Sequence, residues 1–65
     1  MKTVQQLFAD LTAALEDVHG VAIEGQSAHA SKDMQASLLS CVRAGLLWLE
    51  QIADSIAVAL ATLPR

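Results

Sequence analysis

The sequence predicts an all-α fold, an antiparallel two-helix hairpin that dimerises into a four-helix bundle. Two observations lead to this fold class. Apolar residues recur at alternating steps of three and four along two long segments, which is the spacing of packed helices. Hydrophobic residues make up 54% of the chain, most of them Ala and Leu, and only Phe8 and Trp48 are aromatic. This composition favours helices over strands.

The segment 34–63 shows the most regular pattern. In a heptad written a to g, its a and d positions are Leu38, Val42, Gly45, Leu49, Ile52, Ile56, Ala59 and Leu63. A second apolar row, at the neighbouring e positions, consists of Leu39, Leu46, Ala53 and Leu60. The combined stripe is too wide to face water, so the helix has to be covered. Gly45 in this core column indicates either a close helix crossing or a gap beside Trp48.

The first segment repeats this layout. Thr3 and Gln6 have the spacing of a capping box, which places a helix start at Val4. The a and d positions that follow are Val4, Leu7, Leu11, Ala14 and Val18, and Phe8 and Leu15 take the e row. We expect one domain over residues 1–65, with helices at about 4–28 and 32–62. The alternative is that the first helix breaks near Gly20 or Gly25, since glycine often ends a helix.

The small size of the chain predicts association. Below about 70–80 residues one core rarely stabilises a fold without a disulfide, a metal or oligomerisation. Cys41 is the single cysteine, so an intrachain disulfide is excluded. The predicted self-association core consists of Leu7, Phe8, Leu11, Leu15, Val18, Leu38, Val42, Gly45, Leu46, Trp48, Leu49, Ile52, Ile56 and Leu60.

Charge argues against several functions. The net charge is −3, and the four basic residues are scattered singly along the chain, whereas nucleic-acid binders carry basic stripes. We therefore expect no nucleic-acid partner. Charges at Arg43, Glu50 and Asp54 interrupt the apolar run of about 20 residues that a membrane span needs, so we expect no stable membrane insertion. The start lacks a signal-peptide pattern, and the expected location is cytoplasmic.

No residue combination predicts chemistry. Cys41 flanks the core stripe and is expected to act as a small buried hydrophobe. His19 and His29 lie near the end of the first segment and are expected to be polar end groups. We find no nucleophile–base pair, phosphate loop or zinc-ligand spacing. The sequence thus predicts no enzyme, no cofactor, and no catalytic or metal site.

The leading hypothesis is a small self-associating protein that acts by binding another protein, as an adaptor, inhibitor, regulator or secretion-type chaperone. Its candidate partner surface consists of an acidic edge, Asp10, Asp17 and Glu24, and an outward apolar patch around Leu47 and Val58. A ligand- or metal-binding bundle using His29, Cys41 or His19 is the alternative. A peripheral membrane helix is a lesser one.

Overall fold

The computed structural model describes residues 1–64 and contains two α-helices packed against each other. Helix α1 runs from Val4 to Gly25 and helix α2 from Lys32 to Thr62, joined by residues 26–31. The chain doubles back through this short connection into a rod of 53 × 15 × 15 Å. The predicted all-α helical hairpin is therefore confirmed.

Local side-chain chemistry defines where both helices begin. The Thr3 Oγ1 accepts a hydrogen bond from the Gln6 N–H (3.1 Å), and the Gln6 Oε1 accepts one from the Thr3 N–H (2.8 Å). This reciprocal pair satisfies two backbone donors that a helix start leaves free. Ser31 caps α2 in the same way, accepting from the Met34 N–H at 3.1 Å.

The first helix continues through Gly20 and ends at Gly25, three residues before the expected end near Ala28. The Gln26 N–H donates to the Ile23 and Glu24 carbonyls, which tightens the last turn. Ser27 then accepts the His29 N–H on its side chain, a local bond that competes with helix continuation. None of the glycines within residues 1–64 has a positive φ, so neither Gly20 nor Gly25 forms a left-handed helix stop.

The contact between the helices follows the a and d columns. Ala14, Ile52 and Ile56 are the buried residues, and Leu7, Leu11 and Leu49 pack around them. In α2, each residue that is buried or half-buried belongs to these columns. In α1 the same holds except for Asp10, which is half-buried at the neighbouring g position. The heptad spacing thus identified the seam of the hairpin.

Gly45 of α2 lies directly against the Val18 side chain of α1. A Cβ atom added there would meet the Val18 Cγ2 at a separation that real Cβ atoms do not adopt. Val18 is β-branched, and its side chain has one strongly preferred rotamer in a helix, so it cannot easily turn away. No backbone atom of α1 lies within 4 Å of the added Cβ, so Gly45 makes room for the Val18 side chain and not for a close crossing of the two backbones. The backbones of Gly20 and Gly25, in contrast, face open space.

The isolated hairpin is much less compact than a typical domain of its length. Its radius of gyration is 15.3 Å, against about 11 Å for a compact 65-residue chain. Its accessible surface is 5228 Å², whereas a globular monomer of this mass exposes about 4,000 Å². The hairpin therefore exposes roughly 1,200 Å² more surface than a protein of its mass does when it folds alone.

We predict opposite effects for two glycine substitutions. Gly20→Ala should raise the free energy of unfolding by about 1 kcal/mol, because alanine is the better helix former and the site is open. Gly45→Ala should lower it by about 1–2 kcal/mol, because overpacking against Val18 outweighs that gain. Urea unfolding followed by circular dichroism, at one fixed protein concentration, measures both.

Val18→Ala in the Gly45→Ala background provides the control for this interpretation. Removing the methyl groups that the new Cβ meets should recover part of the lost stability, as a favourable coupling in a double-mutant cycle. Additive effects of the two substitutions would show that Gly45 and Val18 do not constrain each other.

Candidate interaction surfaces

Because the two helices are antiparallel, the e and g rows that flank the seam lie on opposite sides of the hairpin. In an antiparallel pair that shares an a/d seam, the e rows of both helices lie on one side and the g rows on the other. Surface hollows confirm this assignment. One hollow is lined from both helices by Asp17 and Trp48, and a second by Asp10, Trp48 and Ser55, all of them g positions.

We call the side with the e rows the apolar face. It consists of Phe8, Leu15, Ala22, Leu39, Leu46, Ala53 and Leu60. All seven residues are exposed, and the five large ones are each about half accessible to solvent. Lys32 begins the α2 row at the first residue of the helix, and no other charged residue belongs to these rows within the two helices. The apolar face is therefore a continuous hydrophobic strip along most of the rod, which is unusual for a protein surface that meets only water.

We call the side with the g rows the acidic face. Its α1 row is the predicted acidic edge, Asp10, Asp17 and Glu24, and its α2 row contains Cys41, Trp48 and Ser55. Lys2 forms an ion pair with Asp10 at 2.5 Å, the only such pair within residues 1–64. Trp48 is 57% exposed. This face thus combines carboxylates with an accessible indole, a juxtaposition that helical spacing within one segment does not show.

The predicted self-association core divides into two sets in the structure. Nine of its residues pack in the seam of a single hairpin: Leu7, Leu11, Val18, Leu38, Val42, Gly45, Leu49, Ile52 and Ile56. Four others, Phe8, Leu15, Leu46 and Leu60, lie on the apolar face, and Trp48 lies on the acidic face. Trp48 therefore does not lie on the same side of the hairpin as the exposed leucines.

The predicted outward patch is spread over the back of α2. Leu47 and Val58 are the most exposed large hydrophobic side chains within the helix, at 59% and 64%. They are eleven residues apart, which is about 16 Å along a helix. Val58 borders the acidic face, whereas Leu47 lies directly opposite the seam at an f position. The two residues do not form one compact surface.

The thiol and the two imidazoles are not brought together. Cys41 is exposed in the hairpin rather than buried, because the g row of α2 meets only the edge of α1. His19 is exposed on α1 next to the apolar face, and His29 lies in the connecting turn. Within residues 1–64, no three side chains among His, Cys, Asp and Glu are close enough to hold a metal ion.

Sequence reasoning missed a hollow of about 130 Å³ on the acidic face. Val18 and Gly45 lie at its base, and Cys41, Trp48 and Asp17 surround it. The relevant signal was present, since Ala14, Val18 and Gly45 are all small residues of the a/d columns. Locating the hollow required knowing that these three residues meet at one level of the hairpin.

Helix α2 satisfies the length and composition requirements for a membrane-crossing helix, with a mean hydropathy of 1.4 over its most apolar 18 residues. Core helices of water-soluble proteins and signal sequences satisfy the same requirements. In the hairpin only 11% of that stretch is buried. The expectation of no membrane insertion stays a prediction.

We predict that Cys41 reacts readily in the folded protein. Its exposed thiol should be modified by a water-soluble disulfide reagent at a rate within about tenfold of that in the unfolded chain. Absorbance of the released thiolate, with and without denaturant, gives both rates. Protection of Cys41 by several orders of magnitude would show that the acidic face is covered in solution.

The chain was also compared with known proteins. No protein-family model matches it. No curated protein and no solved structure matches it.

Proposed function

We propose that this chain is a self-associating helical hairpin that acts by binding another protein, as an adaptor, inhibitor or regulator. The observation that carries the proposal is the apolar face, a hydrophobic strip that the hairpin leaves exposed along most of its length. In the proposed assembly, two hairpins pack through their apolar faces and form a four-helix bundle.

The limited core of one hairpin supports association. Among residues 1–64, only Ala14, Ile52 and Ile56 are buried, and no large side chain is fully enclosed. Burying a large aliphatic side chain contributes about 1.5–3 kcal/mol, while ordering each residue of the backbone costs about 1–2 kcal/mol. Two buried isoleucines and a partly buried seam leave little net stability for 65 residues. A second hairpin on the apolar face would bury the five half-exposed large side chains of each copy.

The surface area of the hairpin is consistent with a dimer. A standard protein interface buries about 800 Å² on each partner. The hairpin exposes roughly 1,200 Å² more than a compact monomer of equal mass. Burial of a standard interface on one face would therefore remove most of this excess. Two-fold dimers are the commonest closed assemblies, and they bring one surface of each copy against the same surface of the other.

Charge distribution favours the apolar face over the acidic face as the dimer contact. A two-fold contact through the acidic face would bring two rows of carboxylates together, since Asp10, Asp17 and Glu24 all lie there. Like charges at an interface oppose association by several kcal/mol. The rows of the apolar face contain one charged residue, Lys32 at the start of α2. The seven apolar residues beyond it can be buried without removing an ionised group from water.

Two adjacent leucines of α2 provide a test of which face forms the dimer contact. Leu46 and Leu47 are similarly exposed, at 54% and 59%, but Leu46 lies on the apolar face and Leu47 on the back of α2. Leu46→Glu should weaken the dimer at least about 100-fold, because each interface would bury two unpaired carboxylates. Leu47→Glu should leave the dimer intact. Light scattering across a concentration series measures both.

Circular dichroism provides the accompanying control. The unmodified chain should melt at a higher temperature as its concentration rises, because association stabilises the fold. A monomer whose melting temperature does not depend on concentration would contradict the proposal. Equal loss of the dimer in Leu46→Glu and Leu47→Glu would place the contact elsewhere.

A membrane surface is the second candidate, favoured by the apolar composition of α2 and the exposed apolar face. Such helices bind with their apolar side in the lipid and usually carry basic residues on the polar side. The single Arg43 in the middle of α2 does not provide this.

We therefore predict that the protein remains in the supernatant when it is centrifuged with vesicles, whether these are neutral or contain anionic lipid. A sedimenting fraction that Leu46→Glu abolishes and Leu47→Glu preserves would replace the dimer proposal with lipid binding through the apolar face.

A further inference from the structure

The hollow of the acidic face has the size and lining of a receptor for one apolar side chain. Its volume is about 130 Å³, close to the roughly 150 Å³ of an engineered apolar cavity that accepts benzene. Val18 and Gly45 form the base, and the indole of Trp48 stands beside it. Tryptophan is enriched among the few residues that contribute most of the binding energy at protein interfaces.

The hollow lies where Gly45 of α2 meets Val18 of α1. Gly45 has no side chain, and the Val18 side chain occupies part of the space that one would fill. Ala14, which also lines the hollow, is small and fills little of its volume. The small residues at this level therefore leave the adjacent surface concave.

Negative charge follows the hollow along α1. Asp17 lines it, and Glu24 continues the same row two turns later. Asp10 is paired with Lys2, whereas Asp17 and Glu24 have no ion-pair partner within the described part of the chain, residues 1–64. Seven residues correspond to about 10 Å along the helix, so these two carboxylates present charges at heptad spacing.

We propose that the acidic face binds a basic amphipathic helix of another protein. An aliphatic side chain of that helix enters the hollow beside Trp48. Lys or Arg residues seven positions apart on the same helix pair with Asp17 and Glu24. Helix-in-groove recognition commonly uses an apolar anchor of this kind, and the charged pairs would set the orientation of the partner and speed its association.

This proposal depends on the proposed dimer in one respect, which is that the dimer has to leave the acidic face free. Nucleic acid does not fit this surface, because phosphates would meet carboxylates. A second copy of this chain does not fit either, because its own acidic row would be opposed to Asp17 and Glu24. A basic helix is the occupant that satisfies both the charge and the hollow.

The test uses a synthetic helical peptide of 18 residues, free of Trp and Tyr, with Lys at two positions seven apart and Leu between them on the same face. A matched peptide has Glu in place of both Lys residues. Trp48 is the only tryptophan of the chain, so its fluorescence reports binding at the hollow. We expect a saturable blue shift with the Lys peptide, weaker at higher salt, and none with the Glu peptide.

Two neighbouring carboxylates provide matched variants. Asp17→Lys should weaken binding of the Lys peptide at least about tenfold, since it replaces an attraction by a repulsion. Glu16→Lys makes the same charge change on the outer side of α1, opposite the seam, and should leave binding unchanged within about twofold. Cys41→Phe fills the hollow from an exposed position and should also block the peptide.

Absence of a saturable Trp48 response, with the dimer intact by light scattering, would overturn the proposal for the acidic face while leaving the dimer proposal standing. Equal binding by the Asp17→Lys and Glu16→Lys proteins would overturn it as well. A monomer that binds the Lys peptide at Trp48 and loses it in Asp17→Lys would support the recognition site and contradict the dimer.

Discussion

Two helices cannot cover each other completely, and this constraint determines most of what the hairpin exposes. Each helix has an apolar stripe more than two columns wide, but the other helix covers only the a and d columns. Ile52 and Ile56 reach the interior, while Leu39, Leu46 and Leu60, one position further round the same helix, remain half exposed. The sequence makes each apolar stripe wider than the other helix of the same chain can cover, so a single hairpin always exposes part of it.

Chain direction determines how that uncovered width is distributed. Because the helices are antiparallel, the e rows meet on one side and the g rows on the other. The residues outside the seam are thereby separated into a hydrophobic strip on one side and, on the other, a row of carboxylates on the same side as Trp48. In a parallel pair, the e row of one helix would lie beside the g row of the other. Both sides of the hairpin would then carry apolar residues together with carboxylates. The division into two faces therefore depends on the short connection at residues 26–31.

Much of the fold could be predicted because its signals are local or periodic. The capping box at Thr3 and Gln6 depends on residues three apart, and the seam depends on a repeat that either helix shows alone. The end of α1 at Gly25 was harder, since bonds made by Gln26, Ser27 and His29 decide it. Cys41 and Trp48 lie on one face with a hollow between them. This arrangement depends on which residues of α1 lie at the same height along the rod. Periodicity within one segment contains no information about that height.

The contact between Gly45 and Val18 has a further consequence for how uniquely the chain folds. A heptad pattern permits two helices to slide by seven residues and still bury apolar side chains, so it leaves several registers close in energy. Sliding α2 by one heptad would bring Leu38 or Ile52 to the level where Gly45 now lies against Val18. Neither side chain fits where a single Cβ atom would already collide with the Val18 side chain. Gly45 therefore disfavours both of these shifted registers, which helps a chain with a small core to adopt one alignment of its helices.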